Sequence, residues 1–187
     1  PDNVELLDVL GRAQSASGEH NQALSTFSRV AALQPQSPQP FLRMASAHQA
    51  AGNNAAAEQS LRKALEITPN LLPAQQGLAA LAMVAKKPGD ALAIARNVQK
   101  QRPKEAAGYL LEGDIYTAGK DWDKAVEAFR AGLKQVSNPD LAVRLHGALL
   151  AAGKKPEAAR WAAEWLRSQP KDAVFPFYLG GLAMNGN

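Results

Sequence analysis

The chain has 187 residues, of which 46% are hydrophobic and only 6% aromatic, and it carries a formal net charge of +4 at pH 7. It contains no cysteine, which excludes disulfides, thiol chemistry and cysteine-based metal sites. No apolar run reaches the roughly 18 residues that a membrane-spanning helix needs. Alanine, the strongest helix former, supplies much of the hydrophobic content, and segments rich in β-branched residues at period two are few. We therefore expect helices and essentially no strands.

A 34-residue period organises the chain. Pro35, Pro69 and Pro103 recur at this spacing. The same spacing separates four alanines: Ala23, Ala57, Ala91 and Ala125. A period of this length is typical of solenoids, in which each repeat is one supersecondary unit that stacks on its neighbours. We predict a single all-α array of five helix-turn-helix repeats and part of a sixth, at residues 4–37, 38–71, 72–105, 106–138, 139–172 and 173–187.

Repeat 2 fits the pattern best. It has bulky apolar residues on a first helix, then a turn with glycine, then small and apolar residues at helical spacing on a second helix. In repeat 2, Phe41 and Met44 precede the turn at Gly52, and Ala57 and Leu61 follow it. Repeat 2 therefore serves as the reference for the others.

Repeat 3 departs furthest from this pattern. Gln75 replaces a bulky residue, and Ala82 and Ala95 stand where aromatic residues are usual. Small side chains bury less apolar surface, which stabilises a fold by about 25 cal/mol per Å². We therefore expect repeat 3 to be the thinnest and most compliant part of the array.

Repeat 4 matches the pattern on its first helix with Tyr109, Gly113 and Tyr116, but Glu112 stands where leucine is usual. On its second helix, Gly132 takes the place of an alanine. We expect this glycine to weaken the helix by about 0.5–1 kcal/mol unless it allows close packing.

Repeat 5 has His146 where glycine is usual and Trp165 where a small residue is usual. Because both residues are larger than the usual ones, the pattern does not predict the distance between the two helices of repeat 5. Residues 173–187 supply only a first helix. Because the sequence begins with what reads as the tail of a preceding repeat, Pro1 to Asn3, and ends at Asn187 inside a following one, we expect it to be part of a longer solenoid.

The recurring unit has a bulky residue, Leu-Gly and an aromatic residue on the first helix, a glycine turn, Ala-aromatic-Ala on the second helix and a closing proline. The chain thereby resembles the tetratricopeptide repeat family over its whole length. The resemblance implies a right-handed α-α superhelix whose inner surface is lined by the first helices. At the family's inward positions we expect a binding groove lined by Asp8, Arg12, Leu42, Arg43, Gln49, Gln76, Met83, Leu110, Asp114, Thr117, Val143, Arg144, Leu150, Phe177 and Tyr178.

This mixed apolar and charged lining suits a peptide or a helix of a partner protein. The alternative for each of these residues is that it only packs or solvates the inner wall. The sequence leaves open whether the ligand is a peptide or a polysaccharide.

Two stretches resemble a subgroup of the family. AAGYLLEGDIYTAGKDWDKAVEAFRAGL (residues 106–133) and LAVRLHGALLAAGKKPEAARWAAEWL (residues 141–166) look like the large tetratricopeptide lipoproteins of bacterial exosortase (PEP-CTERM) systems, which are encoded with exopolysaccharide-export genes. The resemblance implies a scaffold on the periplasmic side of the cell envelope, attached to the membrane only through a lipid anchor outside this sequence. A cytoplasmic location is the alternative. A second hypothesis makes the chain an accessory segment of a larger enzyme, such as a glycosyltransferase.

No residue pattern predicts catalysis, a cofactor or a metal site. His20, His48 and His146 fall in different repeats, so they cannot meet in one metal site. No nucleophile, base and orienting group recur where the repeats would bring them together. Asp121 and Asp123 lie in an interhelical turn, where we expect aspartate to cap the following helix. We therefore predict that the chain is not an enzyme.

The positive charge lies in the second half of the chain. Residues 94–187 hold fourteen Lys and Arg against ten Asp and Glu. These basic residues are scattered and lack the interleaved aromatic residues of a nucleic-acid platform. We predict a protein or peptide partner and no nucleic acid, and the sequence leaves the oligomeric state open.

Overall fold

The computed structural model describes residues 3–184. Within that range the chain has eleven α-helices and no strand, which confirms the predicted all-α fold class. The helices are α1 (Val4–Ala16), α2 (His20–Leu33), α3 (Gln39–Ala50), α4 (Asn54–Ile67), α5 (Leu72–Val84), α6 (Pro88–Gln101), α7 (Ala107–Ala118), α8 (Trp122–Gln135), α9 (Pro139–Ala151), α10 (Lys155–Ser168) and α11 (Val174–Met184). The predicted repeat tail at Pro1 and Asp2, and residues 185–187 of the partial repeat, lie outside the described residues.

Each of the first five predicted repeats contains one pair of helices, and α11 lies in the partial sixth. Local capping residues set where several of these helices begin. The side chains of Asn3, Asn53 and Asn138 each accept a hydrogen bond from a backbone N–H in the first turn of α1, α4 and α9. Asp121 caps α8 in the same way, as predicted.

The turn within each helix pair places one residue in the left-handed backbone region. Gly18, Gly52 and Gly153 fill this place in repeats 1, 2 and 5, with φ of 81°, 76° and 74°. In repeats 3 and 4 the residue is Lys86 or Lys120, each with φ of 58°. Because a side chain in this region costs about 1–2 kcal/mol, the lysine turns are less favourable than the glycine turns.

The chain forms two compact units, residues 1–87 and residues 88–187. Unit 1 contains α1 to α5, and unit 2 contains α6 to α11. The boundary falls in the turn of repeat 3, the repeat whose small side chains predict the thinnest packing. That all repeats form one array, with repeat 3 as its most compliant part, stays a prediction.

Small residues let the helices of unit 1 approach closely. Ala57 and Leu61 of α4 are buried in one core cluster with Ala74 of α5. Gly11 of α1 faces the ring of Phe27 on α2, and a Cβ at Gly11 would lie 2.5 Å from that ring. The repeat pattern thus requires glycine at this position for a steric reason, because an aromatic ring of the second helix occupies the space that a side chain would need.

One core cluster of unit 2 contains Phe129 of α8, which is 1% exposed. Its ring lies against Gly113 of α7, where a side chain would collide with it. Gly132, also on α8, faces two neighbours: a Cβ there would lie 2.7 Å from Tyr109 Cβ and 2.9 Å from Leu141 Cδ1. Gly132 therefore allows close packing of α8 against its neighbours. The weakening of the helix was expected only for a glycine that does not allow such packing.

Trp165 stands at a position where a small residue is usual. Its large side chain is accommodated there because α11 packs against it. The side chain is 5% exposed, and its ring centroid lies 6.2 Å from that of Phe175. The indole Nε1 donates a hydrogen bond to Oδ2 of Asp172 at 2.7 Å, and Asp172 Oδ1 accepts one from the backbone N–H of Val174 at 2.8 Å. One carboxylate thus satisfies the indole N–H and anchors the first turn of α11.

Glu112 of α7 stands at a position where leucine is usual. Its carboxylate accepts hydrogen bonds from two side chains of α6. Its Oε1 accepts a hydrogen bond from Arg96 Nε at 3.2 Å, and its Oε2 accepts one from Gln99 Nε2 at 2.7 Å. The hydrogen bond and the negative charge of Glu112 raise the pKa of Arg96. Only 15% of the Glu112 side chain is exposed, so losing either donor would leave a poorly hydrated carboxylate oxygen unpaired.

Candidate functional site

We call the surface formed by the first helices of the repeats in one unit its helix-A face. These helices are α1, α3 and α5 in unit 1 and α7, α9 and α11 in unit 2. α1 contacts α3, and α9 contacts both α7 and α11. Every predicted binding residue lies on one of these helices: Asp8, Arg12, Leu42, Arg43, Gln49, Gln76 and Met83 in unit 1, and Leu110, Asp114, Thr117, Val143, Arg144, Leu150, Phe177 and Tyr178 in unit 2. One continuous groove along all of them stays a prediction.

An acidic residue joins two neighbouring helices on the helix-A face of unit 1. Asp8 Oδ1 accepts a hydrogen bond from Arg43 Nε at 3.2 Å, which links α1 to α3. Asp8 Oδ2 lies 3.2 Å from Nε of Arg12, one turn along α1. About half of the Arg12 side chain, 52%, is exposed. Because an ion pair this exposed stabilises a fold by only about 0–1 kcal/mol, Arg12 can exchange Asp8 for a ligand at little cost. The Arg43–Asp8 pair is less exposed, at 34% and 29% of the two side chains, and it keeps Asp8 paired.

A cavity of about 370 Å³ lies beside this ion-pair group. The two arginines border it, and the ring of Phe27 on α2 contributes to its wall. The remaining lining residues are small: Ser15, Ala16, Ser46, Ala47 and Ala50. The structure thus brings together Arg12 and Arg43 beside an aromatic wall that was not predicted, and their role in one binding groove stays a prediction.

A second interhelical ion pair lies on the helix-A face of unit 2. Arg144 Nη1 of α9 is 3.3 Å from Asp114 Oδ1 of α7, and 54% of the arginine side chain is exposed. Partial burial raises the pKa of Asp114, although the positive charge of Arg144 opposes this shift. Each unit therefore carries an acidic residue on one first helix and an arginine on the next.

The apolar residues of the predicted groove differ in how freely they face the solvent. Leu42 packs partly against the core of unit 1, and Leu110 and Leu150 pack partly against the core of unit 2. Phe177 is 84% exposed, so it makes little contact with its own unit. Phe177 is therefore a better candidate than these leucines for contact with a partner.

Tyr178 packs against α9. Its hydroxyl lies 3.0 Å from Nδ1 of His146, and a neutral imidazole can accept the hydroxyl proton there. The ring of His146 meets those of Phe175 and Tyr178 edge-on, with centroids 5.7 Å and 5.5 Å apart. Burial lowers the pKa of His146 and raises that of Tyr178, because both charged forms lose hydration.

This arrangement makes stability depend on pH. The ordinary pKa of the His146 ring is 6.5, and its value in the folded chain is lower. On acidification the unfolded chain binds this proton first, so the stabilising effect of the neutral ring is complete above about pH 6.5 and is lost below it. We expect the melting temperature to fall between about pH 7.5 and pH 5.5, and to fall less for His146→Gln.

Circular dichroism during heating at each pH measures this effect. His48→Gln is the control, since His48 lies in unit 1, whereas the contact between His146 and Tyr178 lies within unit 2. It should keep the pH dependence of the unchanged chain. An equal fall for His146→Gln and the unchanged chain would contradict the prediction.

The described residues give no sign of a metal site or a membrane span. Among residues 3–184, no group of three or more His, Asp or Glu side chains could hold a metal ion. None of the described helices is both long and apolar enough to cross a membrane. Asp123, considered above with Asp121, is within ion-pair distance of Lys154 at 2.5 Å.

Sequence reasoning missed one feature of unit 2, a cavity beside His146 that is lined partly by Lys155 and Ala183. A signal for it was present in the repeat pattern. Ala183 stands where repeat 4 has the aromatic Tyr116, and a missing large side chain in a packed repeat leaves space.

Two family models described as tetratricopeptide repeat match the chain. One covers residues 14–82 and the other residues 77–140, so that together they span more than half of the sequence. The comparison with curated proteins found no match.

Solved structures with similar folds include proteins described as tetratricopeptide repeat proteins. A thermophilic protein of this kind from Thermus thermophilus aligns with a TM-score of 0.63 and 22% identity, over 97% of this chain and 100% of that one. MamA from Desulfovibrio magneticus gives 0.62 and 20%, over 92% and 99%. YrrB, described as having an unusual peptide-binding site, gives 0.54 and 13%, over 91% and 89%. At these identities the likeness shows the fold alone.

Proposed function

The chain belongs to the tetratricopeptide repeat family, and on that premise we propose that it is a non-catalytic scaffold whose helix-A faces bind a peptide or a helix of a partner protein. One observation carries the proposal. In each unit, an arginine with more than half of its side chain exposed, Arg12 or Arg144, lies with apolar side chains on neighbouring first helices. Such exposed guanidinium groups can pair with an acidic group of a ligand.

The unit 1 face supports a peptide ligand in particular. Its cavity of about 370 Å³ falls within the range of about 300–1,000 Å³ that is usual for ligand sites. Arg12 and Arg43 supply hydrogen-bond donors at its border, and Phe27 supplies an apolar wall. This combination of a few polar donors with an apolar wall is typical of sites that bind peptide side chains.

We further propose that the scaffold works in a bacterial cell envelope, in protein sorting or exopolysaccharide export, attached through a lipid anchor outside this sequence. The support is the resemblance of residues 106–133 and 141–166 to exosortase-associated lipoproteins. The alternative role is that of an accessory segment of a glycosyltransferase. The sequence of the complete gene distinguishes the two roles. A lipoprotein signal with its cysteine would favour the scaffold, and an adjoining α/β catalytic domain would favour the enzyme.

Site-specific photo-crosslinking in the source cells tests which face binds. A photoreactive residue is introduced at Gln49, Gln76 or Phe177 on the helix-A faces. Matched positions on second helices are Glu66 of α4 and Arg167 of α10, which are also exposed. We expect the helix-A positions to crosslink to a partner protein, and the second-helix positions to give no such product. Crosslinks that arise only from Glu66 and Arg167 would overturn the proposal.

A further inference from the structure

A cavity of about 470 Å³ lies among α9, the start of α10 and α11 in unit 2. Its volume is within the range of about 300–1,000 Å³ that is usual for ligand sites. Its lining residues are His146, Leu150, Lys155, Leu179, Leu182 and Ala183. Three of them are leucines and none is a carboxylate, so the walls are apolar and the only permanent charge among them is positive.

The cavity has a cause in the repeat pattern. Ala183 occupies the place on its first helix that Tyr116 occupies in repeat 4. The Tyr116 ring is partly buried against the core of unit 2, whereas the alanine side chain ends at Cβ. The partial sixth repeat therefore has a space beside α9 where an aromatic side chain stands in repeat 4.

Lys155 gives the cavity its charge. It is the first residue of α10, where the helix dipole disfavours a cation. No hydrogen bond or ion pair joins its side chain to another described residue. The Nδ1 atom of His146, in contrast, is engaged with the Tyr178 hydroxyl. Lys155 is thus the group in the cavity that can meet an anion.

We propose that this cavity binds a large apolar side chain, preferably aromatic, from an acidic segment of a partner protein, and that a carboxylate next to this side chain pairs with the Lys155 ammonium. The aromatic ring would take the space that Ala183 leaves, against Leu150, Leu179 and Leu182. The inference rests on the proposed function, because Leu150 and α11 belong to the helix-A face of unit 2. The inference adds to the proposed function the chemistry of the partner segment that the helix-A face of unit 2 binds.

A small-molecule probe tests the site first. The chain is titrated with 3-phenylpropionate, which carries a phenyl ring and a carboxylate, and separately with 3-phenylpropylamine, and the methyl NMR signals of Leu150 and Leu182 are followed. We expect both signals to shift and the carboxylate to bind about two- to fivefold more tightly than the amine, as for an exposed ion pair. Lys155→Met should abolish this preference, whereas Lys134→Met on α8, outside the cavity lining, should retain it.

Ala183→Phe fills the space from within and should abolish the methyl shifts. Its circular dichroism should match that of the unchanged chain, which separates a filled cavity from a misfolded variant. Ala163→Phe, at an exposed position of α10, is the control and should bind like the unchanged chain. Binding that persists in Ala183→Phe would overturn the proposed location.

A second titration uses short peptides with one phenylalanine flanked by either two glutamates or two lysines. The acidic peptide should shift the same methyl signals and compete with 3-phenylpropionate. If the small probe binds and the acidic peptide does not, the cavity takes small anions and the proposed protein partner is wrong. If no probe shifts the Leu150 and Leu182 signals while the crosslinks at Gln49 and Gln76 persist, this inference fails and the proposed scaffold function stands.

Discussion

Phe129→Ala is expected to lower the free energy of unfolding by about 3–5 kcal/mol, the usual cost of removing a buried aromatic ring. Phe129 is 1% exposed, and its ring fills the space over Gly113. Because the glycine has no side chain to move into the vacated volume, the cavity can collapse only if α7 and α8 shift together. Urea denaturation followed by circular dichroism measures the loss.

Leu166→Ala is the matched control for this change. Leu166 lies on α10 and is 40% exposed, so its truncation should change the free energy of unfolding by about 0.5 kcal/mol or less. A loss below about 1 kcal/mol for Phe129→Ala would mean that the Phe129 ring is not packed in this core cluster.

Gly132→Ala is expected to destabilise the chain by about 1–3 kcal/mol, although alanine is the better helix former. Two effects oppose each other here. Removing a glycine from a helix interior stabilises it by about 0.5–1 kcal/mol. The new Cβ, however, would lie 2.7 Å from Tyr109 Cβ and 2.9 Å from Leu141 Cδ1. Since the Tyr109 Cβ is fixed to its backbone, α7 and α8 must move apart, and we expect the steric effect to be larger.

The same substitution at Gly180 tests whether the steric effect decides the sign of the change in stability. Gly180 lies within α11, and, apart from its chain neighbours and the backbone of its own helix, no heavy atom of the described residues lies within 4 Å of the place its Cβ would take. Gly180→Ala should therefore stabilise the chain by about 0.5–1 kcal/mol. Thermal and urea unfolding of both variants would measure the two changes. If Gly132→Ala also stabilised the chain, the close approach of α7 to α8 would be wrong.

The helix pairs could be predicted from the sequence because the signals for them are local. The 34-residue period, the asparagine and aspartate caps and the glycine turns each act within a few residues of their own position. Lys86 and Lys120 show the limit of such signals. They take the left-handed place that glycine fills elsewhere, because the length of the turn, and not the residue type, fixes which residue occupies it.

Contacts between neighbouring helices were harder to predict. Trp165 in a small-residue position raised a question that the sequence could not answer, because the answer lies in Asp172 and Phe175, which come together with it only in the folded unit. The place of Asp8 and Arg43 on first helices could be predicted from the repeat period, and a groove lined by them stays a prediction. The cavities of the helix-A face could not be predicted, because their volumes depend on how far neighbouring helices are separated.

The pairing of Glu112 with Arg96 and Gln99 means that the repeats of this chain are not interchangeable modules. One period before and one period after Gln99, the second helices carry Leu65 and Leu133. A second helix with leucine there would offer only hydrocarbon to one oxygen of the Glu112 carboxylate. These polar contacts therefore favour α6 as the helix that precedes α7. Duplication or shuffling of repeats at this junction would carry an energetic penalty.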